Sequence, residues 1–209
     1  MKDVYLSMQD FSPDIIFGFN KMPGLDIYLA ADTCFAKQAL KKNIVQKFTR
    51  RYRQSMQIEE DVFSQKSNTK ILSLNDKQSN EFREFYSTQA ERIIIAPPGI
   101  DKDWADYAPV NIYESLNISL GEKLLLFVGS DFSRKGLDRA ILGLRHLNEK
   151  NISSNLVVIG DDKSKPYENL LTDASMSKKV HFLGPRKDVA SFMKSADLLI
   201  HPAREEAAG

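Results

Sequence analysis

One cysteine, Cys34, is all the sulfhydryl chemistry this 209-residue sequence has. That excludes an intrachain disulfide and any zinc site built from several thiolates, and it points to a reducing compartment. An excess of charge of either sign is also missing: 29 Lys+Arg stand against 28 Asp+Glu, so no overall field steers the chain to nucleic acid or membrane. No apolar run approaches the roughly 18 residues of a membrane span. Residues Met1 to Asp10 hold nothing like the apolar stretch of a signal peptide, which reads as cytoplasmic. Neither G-x-G-x-x-G after a strand nor G-x-x-x-x-G-K-[ST] occurs, so dinucleotide and P-loop fingerprints are lacking. Repeats and low-complexity tracts are absent as well.

What is there is a rhythm of short apolar runs alternating with amphipathic helical patterns, the mark of an α/β fold. Expected strands are Asp14 to Phe19, Asp26 to Ala30, Lys70 to Leu74 and Arg92 to Ala96, with helices from about Thr33 to Lys42, Ile44 to Gln65 and Asp76 to Tyr86. Asn43 is the expected left-handed stop between the first two helices. Pro97-Pro98-Gly99 ends the fourth strand, because proline lacks the ladder donor and glycine allows a sharp turn. The pattern then becomes irregular, giving domains 1–99 and 115–209 around a linker at 100–114. In the second domain the expected strands are Leu124 to Val128, Leu156 to Ile159, Val180 to Leu183 and Asp197 to His201. The helices between them run from Lys135 to Leu147, Lys165 to Ala174 and Lys187 to Ser195. Near-continuous apolar strands joined by such helices call for parallel sheets covered on both faces. A doubly wound domain would need another helix after the last strand, where this sequence stops at Gly209.

Chemistry concentrates in Val128 to Gly136, where an apolar strand passes into an amphipathic helix. Free N–H groups at a helix start attract anions, and ligands of open α/β sheets sit beyond the carboxyl ends of strands. Arg134 and Lys135 add two cations there, one a bidentate phosphate binder and one a compact charge. The stretch reads either as a solvated basic turn or as a diphosphate site behind Gly129; a positive pair opposing the helix dipole is easier to explain with an anion between them. Asp101-Lys102-Asp103 matches the loose D-x-D of metal-dependent sugar transferases, but a polar turn is the simpler role, and no metal is expected. From Thr33 to Ile58 there are seven basic residues and no acidic one. On a helix from Ile44 the residues Ile44, Val45, Phe48, Tyr52, Met56, Val62 and Phe63 share one face, with Lys47, Arg50, Arg51 and Arg53 around the rest. Such a helix either packs its apolar face in a core or lies on an anionic bilayer; RNA contact through arginines flanking an aromatic is a lesser alternative.

The order and spacing of Pro97 to Ile100, Val128 to Gly136, Val158 to Asp161, Val180 to Gly184 and Ala196 to Gly209 resemble the retaining GT-B glycosyltransferases of family 4. Gly18 to Asp26 and Thr49 to Arg53 are similar to those members that add the first glucose to the inner-core heptose of lipopolysaccharide. The resemblance covers essentially the whole chain. It implies part of an N-terminal Rossmann-like, acceptor-side domain followed by the first half of a C-terminal Rossmann-like domain that holds UDP-glucose. It also implies glucosyl transfer with retention, without metal or other cofactor, at the cytoplasmic face of the inner membrane.

By the same resemblance Arg134, Lys135 and Gly129 would hold the donor diphosphate, and Gly160, Pro185 and Arg186 would lie by the nucleotide. Glu206 would be the catalytic first acid of an E-x7-E motif at the donor sugar; on its residues alone it reads as an N-terminal helix carboxylate. Lys41, Lys42, Lys47, Arg50, Arg51 and Arg53 would contact anionic lipid, with no nucleic acid partner. Against the family's pattern the second acid would fall beyond Gly209 and a glycine-rich loop before Asp14 is missing. The expectation is therefore an interior fragment, inactive by itself, and a truncated non-catalytic nucleotide-sugar-binding remnant is the alternative function.

Overall fold

The computed structural model describes residues 12–41, 43–100, 102–171 and 173–206. Lys42, Asp101 and the closing Ala207-Ala208-Gly209 lie outside them. The chain forms two compact units, the first ending at Gly99 and the second beginning at Ile100. Each is built on a four-stranded, wholly parallel sheet. Among the described residues no helix is long and apolar enough to cross a membrane.

In the first unit β1 (Phe17–Gly18), β2 (Ile27–Ala30), β3 (Lys70–Ser73) and β4 (Ile93–Ile95) lie in sequence order. β1 is shorter than expected because the Ile16 amide is taken by the Asp26 side chain, 2.8 Å away, rather than by a ladder carbonyl. The helices are α1 (Phe35–Ala39), α2 (Ile44–Lys47), α3 (Arg50–Phe63) and α4 (Asp76–Tyr86). Alternation along the strands turns Tyr28, Ala30 and Ile71 to one side, where they are buried with Val62 and Phe63 of α3 and Phe82 and Tyr86 of α4. The Phe63 and Phe82 rings stack at 4.0 Å between centroids.

Two expectations fail here, both for the same reason. The single helix from Ile44 to Gln65 is in fact α2 and α3, separated because Thr49 is extended and its hydroxyl accepts from the Tyr52 amide at 3.2 Å. Asn43 is no left-handed stop; it is extended too, and its side chain accepts from the Gln46 amide at 2.9 Å to start α2. Short polar side chains that can bond a nearby amide begin helices more readily than they continue them. The break divides the expected apolar stripe: Val62 and Phe63 are fully buried, whereas Ile44, Val45 and Phe48 are more than 70% exposed.

In the second unit β5 (Lys123–Val128), β6 (Ser154–Ile159), β7 (Val180–Gly184) and β8 (Leu198–Leu199) lie in the order β7-β6-β5-β8. Here both faces are covered, as the apolar strands predict. Leu125, Phe127, Leu156 and Val158 pack under Leu137, Ile141 and Leu144 on one side. Leu124, Leu126, Val157 and Ile159 meet Ile112, Ile118 and Phe192 on the other. The helices are α5 (Ile112–Ser115), α6 (Phe132–Lys135), α7 (Leu137–Glu149), α8 (Ala174–Ser177) and α9 (Val189–Ser195). The helix expected from Lys135 begins only at Leu137, because Gly136 turns into the left-handed region at φ 78° and closes α6. The helix expected over Lys165 to Ala174 is a 3-10 turn, Lys165–Leu170, followed by α8, which Asp173 caps by accepting from the Ser175 amide.

Candidate functional site

The order of the second sheet fixes where a ligand can enter. From β5 the chain winds outward through β6 and β7, then returns to lay β8 on the opposite side of β5. Loops leaving the carboxyl ends of β5 and β8 therefore start on either side of a topological switch point, the place at which open α/β sheets bind ligands. Those two loops carry Gly129 to Gly136 and Ile200 to Glu206.

They meet at a cluster of charge. Lys135 Nζ lies 2.5 Å and Arg134 Nη1 3.3 Å from the same oxygen of Glu206, and His201 Nε2 lies 3.4 Å from it. Arg134 also donates to the Glu205 carbonyl at 3.1 Å and, through Nε, to Asp131 at 3.1 Å. Burial acts to raise the Glu206 carboxyl; hydrogen bonding and charge from Lys135, the charge of Arg134 and a bond from His201 outweigh it, holding the group below its ordinary value. The sequence expectation that these cations oppose a helix dipole does not hold. They end α6, where carbonyls rather than amides gather, so the case for an anion site rests on the convergence of charge.

Of the three glycines at the strand ends, Gly129 and Gly160 fit tightly, while Gly184 has open space around it. Gly129 adopts φ 148°, and a Cβ on it would come within 3.3 Å of the Lys135 stem. A Cβ on Gly160 would lie 2.1 Å from the Gly129 carbonyl oxygen, so glycine there is demanded by the chain's own approach. The Gly160 amide donates to the Gly184 carbonyl at 3.1 Å. Beside Gly184, Pro185 and Arg186 are exposed; the Arg186 guanidinium is held by Asp188 at 2.7 Å and lies 4.7 Å from the Phe192 ring centre.

Several supporting residues carried no signal in the sequence. Asp162 accepts from the Phe132 amide at 2.7 Å, tying the loop after β6 to the start of α6. Arg204 forks onto Asp138 in the first turn of α7 and donates to the Ser133 carbonyl at 2.6 Å. Each is a pairing between distant stretches that only the strand order brings together. Elsewhere, in the first unit, Lys41, Arg50, Arg51 and Arg53 are exposed and Lys47 half-buried, in the stretch that also exposes Leu40, Ile44, Val45 and Phe48. The expected Asp101-Lys102-Asp103 turn is described only from Lys102, which opens a 3-10 turn with Asp103.

Known proteins agree with this architecture. Residues 111–209 match the family described as glycosyl transferases group 1. Over 97% of its length the chain is 43% identical to the lipopolysaccharide glucosyltransferase WaaG of Escherichia coli strain K12, and it covers 56% of that protein. The crystal structure of WaaG, a glycosyltransferase involved in lipopolysaccharide biosynthesis, superimposes with a TM-score of 0.88 at 41% identity, covering 99% of this chain and 58% of that one. Anabaena HepE in complex with UDP shares the fold at a TM-score of 0.70 and 14% identity, over 97% of this chain and 56% of its own. The chain thus spans little more than half the length of these relatives. Its two parallel α/β sheets are of the GT-B type, and residues 111–209 are similar to the group 1 glycosyl transferases.

Proposed function

We propose that this chain supplies the donor-binding and part of the acceptor-binding machinery of a glucosyltransferase. In the whole protein, glucose passes from UDP-glucose to the inner-core heptose of lipopolysaccharide with retention of configuration. The observation that carries the reading is the meeting of Arg134 and Lys135 on one carboxylate oxygen beyond the carboxyl ends of β5 and β8. Two cations that close on one oxygen are spaced to grip a diphosphate and to stabilise the negative charge growing on it as the sugar leaves, a part that a metal ion plays in other sugar transferases. Glu206, bonded to both, stands at the sugar end. Gly160 and the Pro185-Arg186 turn lie along the strand ends where a nucleoside would extend. The likeness to a lipopolysaccharide glucosyltransferase supports the choice of sugar and acceptor.

The test is titration of the 209-residue chain with UDP. Charge-assisted hydrogen bonds contribute about 1.5 to 3 kcal/mol each, so Arg134→Ala with Lys135→Ala should weaken UDP by about a hundredfold or more. Unchanged affinity in the folded double variant would remove the diphosphate assignment. Labelled UDP-glucose supplied with heptose-terminated lipopolysaccharide then separates transfer from binding without turnover.

A second observation concerns the acceptor side. Leu40, Ile44, Val45 and Phe48 expose their side chains beside Lys41, Lys47, Arg50, Arg51 and Arg53. Apolar groups that enter a bilayer and cations that meet its headgroups fit a peripheral site at an anionic cytoplasmic leaflet, where a glycolipid acceptor resides. Binding to vesicles should rise with anionic lipid fraction and fall with salt; equal binding to neutral vesicles would count against it.

A further inference from the structure

Arg204 is a positioning residue for the paired cations. We infer that its side chain clamps the α6–α7 corner so that Arg134 and Lys135 are presented together, and that it acts through them without touching the anion. The inference rests on the reading of Arg134 and Lys135 as the diphosphate site.

The geometry is that of a splint across a break in the helix. Gly136 separates α6 from α7 with its left-handed turn, so the Ser133 and Arg134 carbonyls find no partner in α7, although the Gly136 amide itself reaches the Ser133 carbonyl at 3.3 Å. Arg204 supplies that partner twice: its amide donates to the Arg134 carbonyl at 2.8 Å, and Nη1 donates to the Ser133 carbonyl at 2.6 Å. The same guanidinium reaches over the turn to Asp138 in the first turn of α7, with Nη1–Oδ1 at 2.8 Å and Nη2–Oδ2 at 2.5 Å. One planar group therefore fixes the last turn of α6 against the first turn of α7. Arg204 hydrogen bonding and charge hold the Asp138 carboxyl below its ordinary value, so the pair remains charged through neutral pH.

The neighbours fit this role. Arg139 donates to the Pro202 carbonyl at 3.2 Å, and that carbonyl fills the space a Cβ on Gly136 would need, 2.3 Å from it. The segment from Pro202 to Glu206 is thus laid along the corner at both ends, with Arg134 reaching the Glu205 carbonyl and the Glu206 carboxylate in return. A lysine cannot replace Arg204, because a single ammonium on a flexible stem lacks the rigid fork that binds Ser133 and both Asp138 oxygens together.

A double-mutant cycle tests the inference on the 209-residue chain with UDP as the probe. Arg204→Ala should weaken UDP about tenfold, Arg204→Lys should recover only part of that loss, and uridine, which carries no phosphate, should bind each as it binds the parent chain. In the Arg134→Ala, Lys135→Ala background the further change on removing Arg204 should be under twofold, since a residue acting through those cations has nothing left to position. Undiminished UDP affinity in Arg204→Ala, or a tenfold loss that persists in that background, would overturn the inference. Asp138→Asn supplies a second route and should reproduce the Arg204→Ala effect. Amide hydrogen exchange provides a readout that needs no ligand: Phe132 to Arg139 should lose protection in Arg204→Ala while β6 and β7 keep theirs, and unchanged protection at the corner sinks the clamp. A parent chain that fails to bind UDP would refute the diphosphate reading, and the exchange experiment would still decide the clamp.

Discussion

Replacing Glu59 by alanine should open the first unit far more often than its single-residue size suggests. Glu59 lies in α3 and is 1% exposed. One carboxylate oxygen accepts from the Phe35 amide at 2.8 Å and from Lys21 Nζ; the other accepts from the Ala36 amide at 3.0 Å and the Tyr86 hydroxyl at 2.6 Å. The first two amides of α1 are therefore capped from another helix, since Cys34 at the cap position makes no such bond itself. Truncation removes an acceptor from two amides, a hydroxyl and an ammonium, of which the ammonium keeps the Thr33 carbonyl at 3.1 Å. Breaking a buried pair of this kind costs about 3 to 5 kcal/mol, with each tenfold in the opening equilibrium equal to about 1.4 kcal/mol. Opening should then rise by roughly two to three and a half powers of ten. Cys34, 1% exposed and the one cysteine in the sequence, is a reporter of this unit alone. Burial, with the Glu59 charge adding, pushes its thiol up to about 11, so in the closed state it is nearly inert to a thiol reagent near neutral pH. When labelling passes through the open state, the thiol reacts there with its ordinary acidity and the rate reads the opening equilibrium. Glu59→Gln, which keeps one carbonyl acceptor, should fall between. A rate in Glu59→Ala within tenfold of the parent would show that the cap is not what holds α1 down.

Two further outcomes concern the second unit. Glu122 is held at about 2 by hydrogen bonds from Lys179, then Ser153, with Asn155 adding a third against the cost of burial. Its folded value lies below the ordinary 4.5, so its contribution to stability is present above about pH 4.5 and is lost as pH falls toward 2; urea midpoints should decline through that window, and Glu122→Gln should flatten the decline. Gly160→Ala must displace the Gly129 carbonyl that would lie 2.1 Å from the new methyl, and should cost the unit about 1 to 3 kcal/mol in urea unfolding; a loss below about 0.5 kcal/mol would mean that the loop after β5 yields freely.

Much of this was legible in the sequence because parallel strands buried on both faces announce themselves as unbroken apolar runs. Leu124 to Phe127 and Leu156 to Ile159 are such runs, and both are core strands. Helix boundaries were harder. Thr49 and Asn43 lie inside a periodic stretch, and only their dihedrals reveal that each starts a helix. Gly136 hid a break in the same way, and with it the true placement of Arg134 and Lys135. The two cations themselves could be read from their position after a strand. The choice of Glu206 followed from the family pattern and not from spacing, and its direct pairing with the two cations was not expected. Arg204, Asp138 and Glu59 escaped notice because a charged residue on a helix or loop looks solvated until a partner far along the chain is brought to it.

The order β7-β6-β5-β8 has a consequence for synthesis. Lys135 and its partner Glu206 are 71 residues apart, and β5 accepts β8 on the edge opposite β6. At about 5 to 20 residues per second, a ribosome that has released Lys135 needs several seconds to deliver Glu206. During that interval β5, β6 and β7 can pair, but the Leu125–Leu126 edge that will receive Leu198 and Leu199 stays open. An open apolar edge is a template for wrong partners, so the nascent chain is most exposed to misassembly just before its charge cluster can close.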